Sequence, residues 1–262
     1  MVDPDPSDIP GGRISEDSRI DLLLSKALDG GKADIRYEVD GGRELDIVLV
    51  DLSPSDTDLT LRIDLSGDGK ASVKVAAVCT GKHTKVFSVD VRHNGGGSWS
   101  RTAMAGINQD DGVLRFLGTS YIANGAHGSD TRQDGRITNL SPRSDSEVSP
   151  ALLINDDDVK ASHGAALGAY DPAAIYYMMS RGLTEEQSKR LITVGSLLPI
   201  VDSFADKDLS ERAKEIMGGI GLCSTRNRSA RISPCTATAA CTATDPSTTW
   251  TTPRPHSNRG RS

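Results

Sequence analysis

Aromatic side chains are scarce in this chain: three Phe, five Tyr and two Trp make up 4% of its 262 residues. So few rings favour a core of stacked Val, Ile, Leu and Ala over one organised around aromatic clusters. Cysteine is scarcer still. Cys79, Cys223, Cys235 and Cys241 include no C-x-x-C pair and three of them crowd the C-terminal stretch, which argues against both a disulfide framework and a zinc ribbon. Basic charge is not in excess, because 30 Lys and Arg face 36 Asp and Glu for a net charge of −6. Without a concentrated basic face, nucleic acid is excluded as the main partner. Long apolar runs are missing as well. The longest, Leu191 to Val201, is broken by Gly195, Ser196 and Pro199 and is too short to span a bilayer, so no membrane association is expected. Asp3, Asp5 and Asp8 among prolines stand where a secretory signal needs basic and then apolar residues, and a cytoplasmic location is the expectation.

What is present is an ordinary globular balance, 36% hydrophobic and 25% charged, in two halves of different periodicity. Residues 1–32 read as a mobile segment carrying a short helix, with Ile20, Leu23, Leu24, Ala27 and Leu28 at helical spacing and Gly30-Gly31 as its end. From Ala33 the period becomes two: Ile35, Tyr37, Val39; Leu45, Ile47, Leu49; Leu59, Leu61, Ile63, Leu65; Val73, Val75, Ala77; Val86, Val89, Val91. The strand centres recur roughly every thirteen residues, separated by Gly41-Gly42, Ser53-Pro54-Ser55, Gly67-Asp68-Gly69, Gly81 and Gly95-Gly96-Gly97. Such a period fits parallel coils stacked at about 4.8 Å, each satisfying its neighbour's backbone groups. It fits an antiparallel sandwich nearly as well. Gly112 to Ile122, Ser129 to Ser141 and Ala151 to Ile154 continue the pattern.

After Gly168 the pattern is helical. Asp171 and Pro172 form a cap and first helical position, Gly182 a terminator, and Thr184-Glu-Glu-Gln187 a capping box that opens a second helix bent by Pro199. A third helix places Leu209, Ala213, Ile216, Met217 and Ile220 on one stripe. From Cys223 the chain is rich in Thr, Ala, Ser, Pro and Arg without periodicity, and disorder is expected over 223–262.

Several motifs fail on inspection. Gly67-Asp-Gly-Lys-Ala-Ser and Gly81-Lys-His lack the Ser or Thr that must follow Lys in a phosphate loop, and Asp64 to Lys70 lacks the alternating carboxylates of a calcium loop. Ser162, His163 and Asp158 have no nucleophile elbow around them. His83, His93 and His127 read as surface or hydrogen-bonded structural residues, and Cys79 as a small buried hydrophobe. Asp46, Asp64 and Asp90 are carboxylates on the strands that a carbohydrate-active β-helix enzyme could use, although such enzymes favour aromatic sugar platforms that this chain lacks.

The densest chemistry lies in Asp156-Asp157-Asp158-Val-Lys160-Ala-Ser162-His163-Gly, where a neutral imidazole stands near carboxylates and can take a metal or move a proton. Read alone, an Asp cluster marks a solvated turn. Together with Ser180-Arg-Gly-Leu183, however, the run Asp157-Asp-Val-Lys-x-Ser-His-Gly-Ala-x-x-Gly168 resembles the C-terminal signature of the SufB/SufD family of the SUF iron–sulfur cluster assembly machinery, its SufD members most. The resemblance extends from about Gly112 to Phe204. It implies a right-handed parallel β-helix core over 33–168 and a helical domain over 169–222 that docks the SufC ATPase, so the fold class is mainly β with a C-terminal α part. It further implies a non-catalytic scaffold that pairs edge to edge with a SufB-like subunit, or with a second copy as a homodimer. His163 would face iron or a nascent iron–sulfur cluster held only transiently at that interface, with Asp157, Lys160 and Ser162 shaping the surface around it. Imidazole suits iron and needs no thiolate-forming deprotonation. One departure is chemical: Ala161 stands where many relatives have Cys, so no thiolate comes from that position. Another is the abrupt change at Leu222, where relatives continue their helices, which suggests a foreign or frame-shifted tail.

Overall fold

The computed structural model describes residues 9, 11–26 and 32–220. Twelve strands come first: β1 (Gly12–Ile14), β2 (Ser18–Leu24), β3 (Lys32–Val39), β4 (Glu44–Asp51), β5 (Thr57–Leu65), β6 (Lys70–Cys79), β7 (Thr84–His93), β8 (Trp99–Asn108), β9 (Val113–Ile122), β10 (Asp130–Asn139), β11 (Asp145–Ile154) and β12 (Lys160–Gly168). Three helices follow, α1 (Pro172–Ser180), α2 (Glu185–Val201) and α3 (Lys207–Gly219).

Odd-numbered strands form one six-stranded sheet in the order β1-β3-β5-β7-β9-β11, and even-numbered strands form the other. Neighbours within each sheet run parallel. The chain therefore crosses from one wall to the other with every strand and climbs one coil with every pair, which is a parallel β-helix and rules out the antiparallel sandwich. A coil takes roughly 26–30 residues, the offset between Ile35 and Leu61 and between Gln133 and His163. The shorter period visible in the sequence is a single wall.

Inside, alternate residues of both walls meet: Ile35, Tyr37 and Ile63 from the odd wall and Leu45, Ile47, Leu49, Val73 and Val75 from the even wall share one buried cluster with Phe87 and Phe116. The Phe87 and Phe116 rings lie 5.9 Å apart at 60° on successive coils of the odd wall, and the opposite wall yields to them. A Cβ on Gly106 would come within 2.9 Å of the Phe116 ring, so a bulky residue on one wall faces a glycine on the other. The interior is thin enough that few aromatics fill it.

The outer faces of the walls differ. On the even wall, Leu23, Val48, Val50, Ala76, Val78 and Ile107 are buried beneath Leu197, Ile200 and Val201 of α2, Phe204, and Ala213 and Met217 of α3. This second layer explains why β4 and β6 abandon alternation partway and become continuously buried, through Val48-Leu49-Val50 and Val75-Ala76-Ala77-Val78. Each large side chain so covered contributes about 1.5–3 kcal/mol. The odd wall presents Asp34, Arg36, Arg62 and Asp64 outward, joined by ion pairs such as Arg62–Asp34 at 2.7 Å. The helices thus lie along the flank of the even wall, most closely over β4, β6 and β8. A latch fixes them there: Asp21 on β2 accepts the N–H groups of Ala205 (2.7 Å) and Asp206 (3.3 Å), while Arg19 donates to the Ser203 carbonyl.

The expected helix over Ile20 to Leu28 is corrected by this arrangement. Residues 18–24 are a strand paired with β4. Ile20 faces the interior while Leu23 lies under the helices, and burial on both faces of a strand imitates helical spacing. The solenoid accordingly begins at Gly12, within the expected mobile segment. Ala27 and Leu28 lie outside the described residues, as does the expected disorder over 223–262. The C-terminal signals hold. Asp171 caps α1 with Pro172 at its start, Thr184 and Gln187 form a reciprocal capping box, and Gly182 adopts φ 96°. Pro199 lies inside α2, which runs on to Val201. No helix among the described residues is long and apolar enough to cross a membrane.

Candidate functional site

The last coil is the place where the core meets solvent. β11 and β12 each pair on one side only. Register sets Ala161, His163, Ala165 and Leu167 directly above Thr131, Gln133, Gly135 and Ile137, whose positions on β10 are all buried. His163 therefore belongs to an interior column, yet it is exposed because no further coil lies over it. On the same last coil Ile154 and Leu167 are exposed large hydrophobics, and Leu153 is exposed on the outer face of β11. Pro150 removes one backbone donor from β11, a common device on a free edge, whereas β12 has no proline.

The other expected site residues do not share that column. Lys160 and Ser162 pair with Asp130 and Arg132 and lie on the outer face, and Asp157 is exposed in the corner before β12. The signature is thus mostly a strand with His163 at its middle. Its corner is organised by Asp156, a residue that sequence reasoning left in an undifferentiated acidic cluster. The Asp156 side chain is 1% exposed and accepts from Gly125 N (3.0 Å), Asp158 N (3.1 Å) and His127 Nδ1 (3.0 Å). Burial alone would raise its carboxyl, but the donors from Asp158, His127 and Gly125 outweigh burial and hold it below the ordinary range. The corner of the last coil is thereby tied to the corner beneath it, and Gly128 N adds a bond to the Asp158 carbonyl at 2.7 Å.

Below His163 the interior changes from apolar to polar. His93 is fully buried, bonded to Ser98 Oγ (2.7 Å) and Ser100 Oγ (2.9 Å). Ser100 meets Thr131 at 2.7 Å, Thr131 meets Ser120 at 2.9 Å, and Gln133 Nε2 donates to Ser120 at 2.6 Å. Burial pushes the His93 imidazole down to about 4, so the ring is neutral near pH 7. Gln133 is the register neighbour of His163, and sequence reasoning did not give it a place at the site. Its signal was one coil of spacing from His163, which becomes legible only when two walls rather than one are counted.

The remaining candidates resolve as structural. His83 is half-exposed and 3.3 Å from Asp56, and His127 serves the corner just described. Cys79 is buried, its thiol pushed up to about 11 by burial. The carboxylates of the carbohydrate-active reading are divided: Asp64 and Asp90 line a groove of about 830 Å³ on the odd wall with Arg36, Arg62 and Tyr121, whereas Asp46 lies on the even wall. Arg36 neutralises Asp64 at 2.9 Å and Arg19 neutralises Asp46 at 2.7 Å. Among the described residues no group of three or more His, Cys, Asp or Glu side chains is placed to hold a metal.

Comparison with known proteins agrees with this geometry. Residues 33–196 match the family model described as SUF system FeS cluster assembly, SufBD core domain. The chain is 34% identical over 142 residues to the iron-sulfur cluster assembly protein SufD of Bacillus subtilis, covering 54% of this chain and 32% of that protein. It is 29% identical over 132 residues to SufD of Escherichia coli, covering 49% and 30%. An iron-sulfur cluster assembly SufBD family protein of Mycobacterium tuberculosis is 28% identical over 156 residues, with 53% and 18% covered. These matches span about a third or less of the relatives' own lengths. With the family model matching more than half of the chain and the solenoid it implies in place, the chain belongs to the SufB/SufD family of SUF iron–sulfur cluster assembly proteins, and within it is most like SufD.

Proposed function

We propose that this chain is a SufD-like, non-catalytic scaffold subunit that pairs with a SufB-like subunit across the open end of its last coil and presents His163 to iron or a nascent cluster there. The observation that carries this reading is the exposure of His163 on an interior column at a free sheet edge. An incoming subunit whose strand pairs with β12 would satisfy backbone groups and cover Ile154 and Leu167 together. Imidazole would supply one nitrogen ligand for iron; with Ala161 beside it, no thiolate comes from that position, and we assign the thiolate to the partner.

The docking site for the SufC ATPase would be the helical layer. Tyr176, Tyr177 and Met179 of α1 and Leu191 of α2 are exposed there, and aromatic residues with Met are favoured at interface centres. A hollow of about 290 Å³ beside them, lined by Tyr170, Ile175, Tyr176 and Met179, could receive an apolar anchor. In this assembly the chain would hydrolyse no ATP itself and act in the cytoplasm.

The reading is tested by co-purification with SufB-like and SufC-like subunits. A His163→Ala variant is expected to assemble normally and to build less cluster, scored by visible absorption and by iron and sulfide content. An unchanged cluster yield removes His163 from the mechanism, and failure of the wild-type chain to co-purify removes the scaffold assignment.

A further inference from the structure

A ligating imidazole needs its second nitrogen held by an acceptor, because that bond selects the tautomer and aims the first nitrogen's lone pair. None of the described residues makes a hydrogen bond or ion pair to the His163 ring. On its own strand the residues of the same face are Ala161, Ala165 and Leu167, which bring no side-chain acceptor. On the coil beneath, Thr131 already bonds Ser100 and Ser120, and Gly135 and Ile137 have no acceptor to offer. Gln133, the register neighbour of His163, does.

The Gln133 side chain is a strut across the interior. It starts on the even wall, is 2% exposed, and donates through Nε2 to Ser120 Oγ at 2.6 Å and to the Ala151 carbonyl at 3.2 Å, both on the odd wall. Ala151 belongs to the last coil, so the amide lies between the coil of Gln133 and that of His163. A carbonyl oxygen can only accept, so the bond to Ala151 settles which end of the amide is nitrogen. The other end, Oε1, is buried without a donor among the described residues. Room for it is reserved on the odd wall, where a Cβ on Gly118 would lie 2.6 Å from Oε1. A buried carbonyl that forgoes its hydrogen bond forfeits the solvation it had in water and gains nothing in exchange. Such an atom one coil below an unheld histidine is an acceptor in waiting.

We infer that Gln133 is the positioning residue of His163: when the imidazole turns toward the interior, Oε1 accepts the N–H of one ring nitrogen and leaves the other nitrogen's lone pair directed out of the open end of the solenoid. The inference rests on the reading of His163 as a ligand, and it adds a second residue to that site. Gln133 touches neither iron nor cluster and acts only through the ring.

The test reads the ring directly. A long-range ¹H–¹⁵N correlation spectrum of the full chain reports the tautomer of His163 without any metal. One neutral tautomer is expected in the wild type, and a mixture in Gln133→Met, which keeps the side-chain length and removes the acceptor. Gln133→Glu, which keeps an acceptor oxygen at the same reach, should restore the single tautomer. Gly118→Ala, whose methyl must displace Oε1, serves as a second route should Gln133→Met fail to give a folded amide spectrum, and the same mixture is expected. In the assembled complex, cluster yield should fall about tenfold in Gln133→Met and recover in Gln133→Glu. Equal tautomer populations in the wild type, or a wild-type spectrum unchanged in both Gln133→Met and Gly118→Ala, overturns the inference. If instead the tautomer responds as expected while His163→Ala builds cluster normally, the positioning stands and the ligand reading falls.

Discussion

Lys85 and Asp51 form an ion pair of 2.7 Å in which both side chains are 0% exposed. The carboxylate also accepts from Ser53 N and Oγ and from Thr57 Oγ1, and Lys85 Nζ reaches the Ser53 carbonyl at 2.8 Å. The pair ties the end of β4 to the start of β7, across the corner leading into β5. Removing one partner strands a charge, and Lys85→Met should cost about 3–5 kcal/mol in urea unfolding. The double variant Lys85→Met with Asp51→Leu should recover much of that loss. Additive losses in the two single variants would show that the charges are not coupled.

Asp21 carries the attachment of the helical layer to the first even strand. Asp21→Ala removes the acceptor for two backbone N–H groups and one partner of Arg19, a loss of about 1–3 kcal/mol. Hydrogen exchange should accelerate in α2 and α3 and stay unchanged in β9 to β12. A uniform acceleration over all strands would mean that the helices and the whole solenoid open as one unit.

His93 makes the fold sensitive to mild acid. Its folded pKa is depressed to about 4 from an ordinary 6.5 by burial, so the unfolded chain takes up a proton in a window where the native state does not. Stability is therefore greatest above the ordinary value, falls as pH drops through the window between the two, and levels off beneath about 4. The full contribution is about 3 kcal/mol, of which about 2 should be lost between about pH 7.5 and 5. His93→Gln should flatten that part of the profile, and an equally steep profile in the variant would assign the loss to other groups.

The corner built on Asp156 responds to acid in the same sense but at lower pH, since its carboxyl too is held below its ordinary value, here 3.8. Its contribution is complete above that value and disappears as pH falls through the lowered one. Asp156→Ala should therefore loosen the corner at neutral pH, with faster exchange at Gly125 and Asp158 and a freed His127 ring. Retained protection at both amides would show that backbone bonds such as Gly128 N to the Asp158 carbonyl hold the corner unaided.

Period-two patterning was legible wherever one face of a strand meets solvent, as in Lys32 to Val39 with its strict alternation of exposure and burial. It misled at Ser18 to Leu24, where the second layer buries the other face. It was silent at Trp99 to Asn108, a strand whose interior positions are Ser100, Thr102, Met104 and Gly106, where only Met104 is large and apolar and no alternation can be drawn. The helix caps were readable because their signals are local. Of the site, His163 could be found from its motif, but its place on an interior column could not, because the column is set by residues a full coil away such as Gln133. Asp156 was hidden among three adjacent carboxylates that sequence alone cannot rank.

The helical layer returns to the flank of coils that leave the ribosome long before it. Until α2 and α3 emerge, Val48, Val50, Val78 and Ile107 have nothing to shield them from other chains. Synthesis interrupted after Gly168 would release a trunk that is already coiled yet adhesive along one side, and chaperone capture during translation should concentrate on that side.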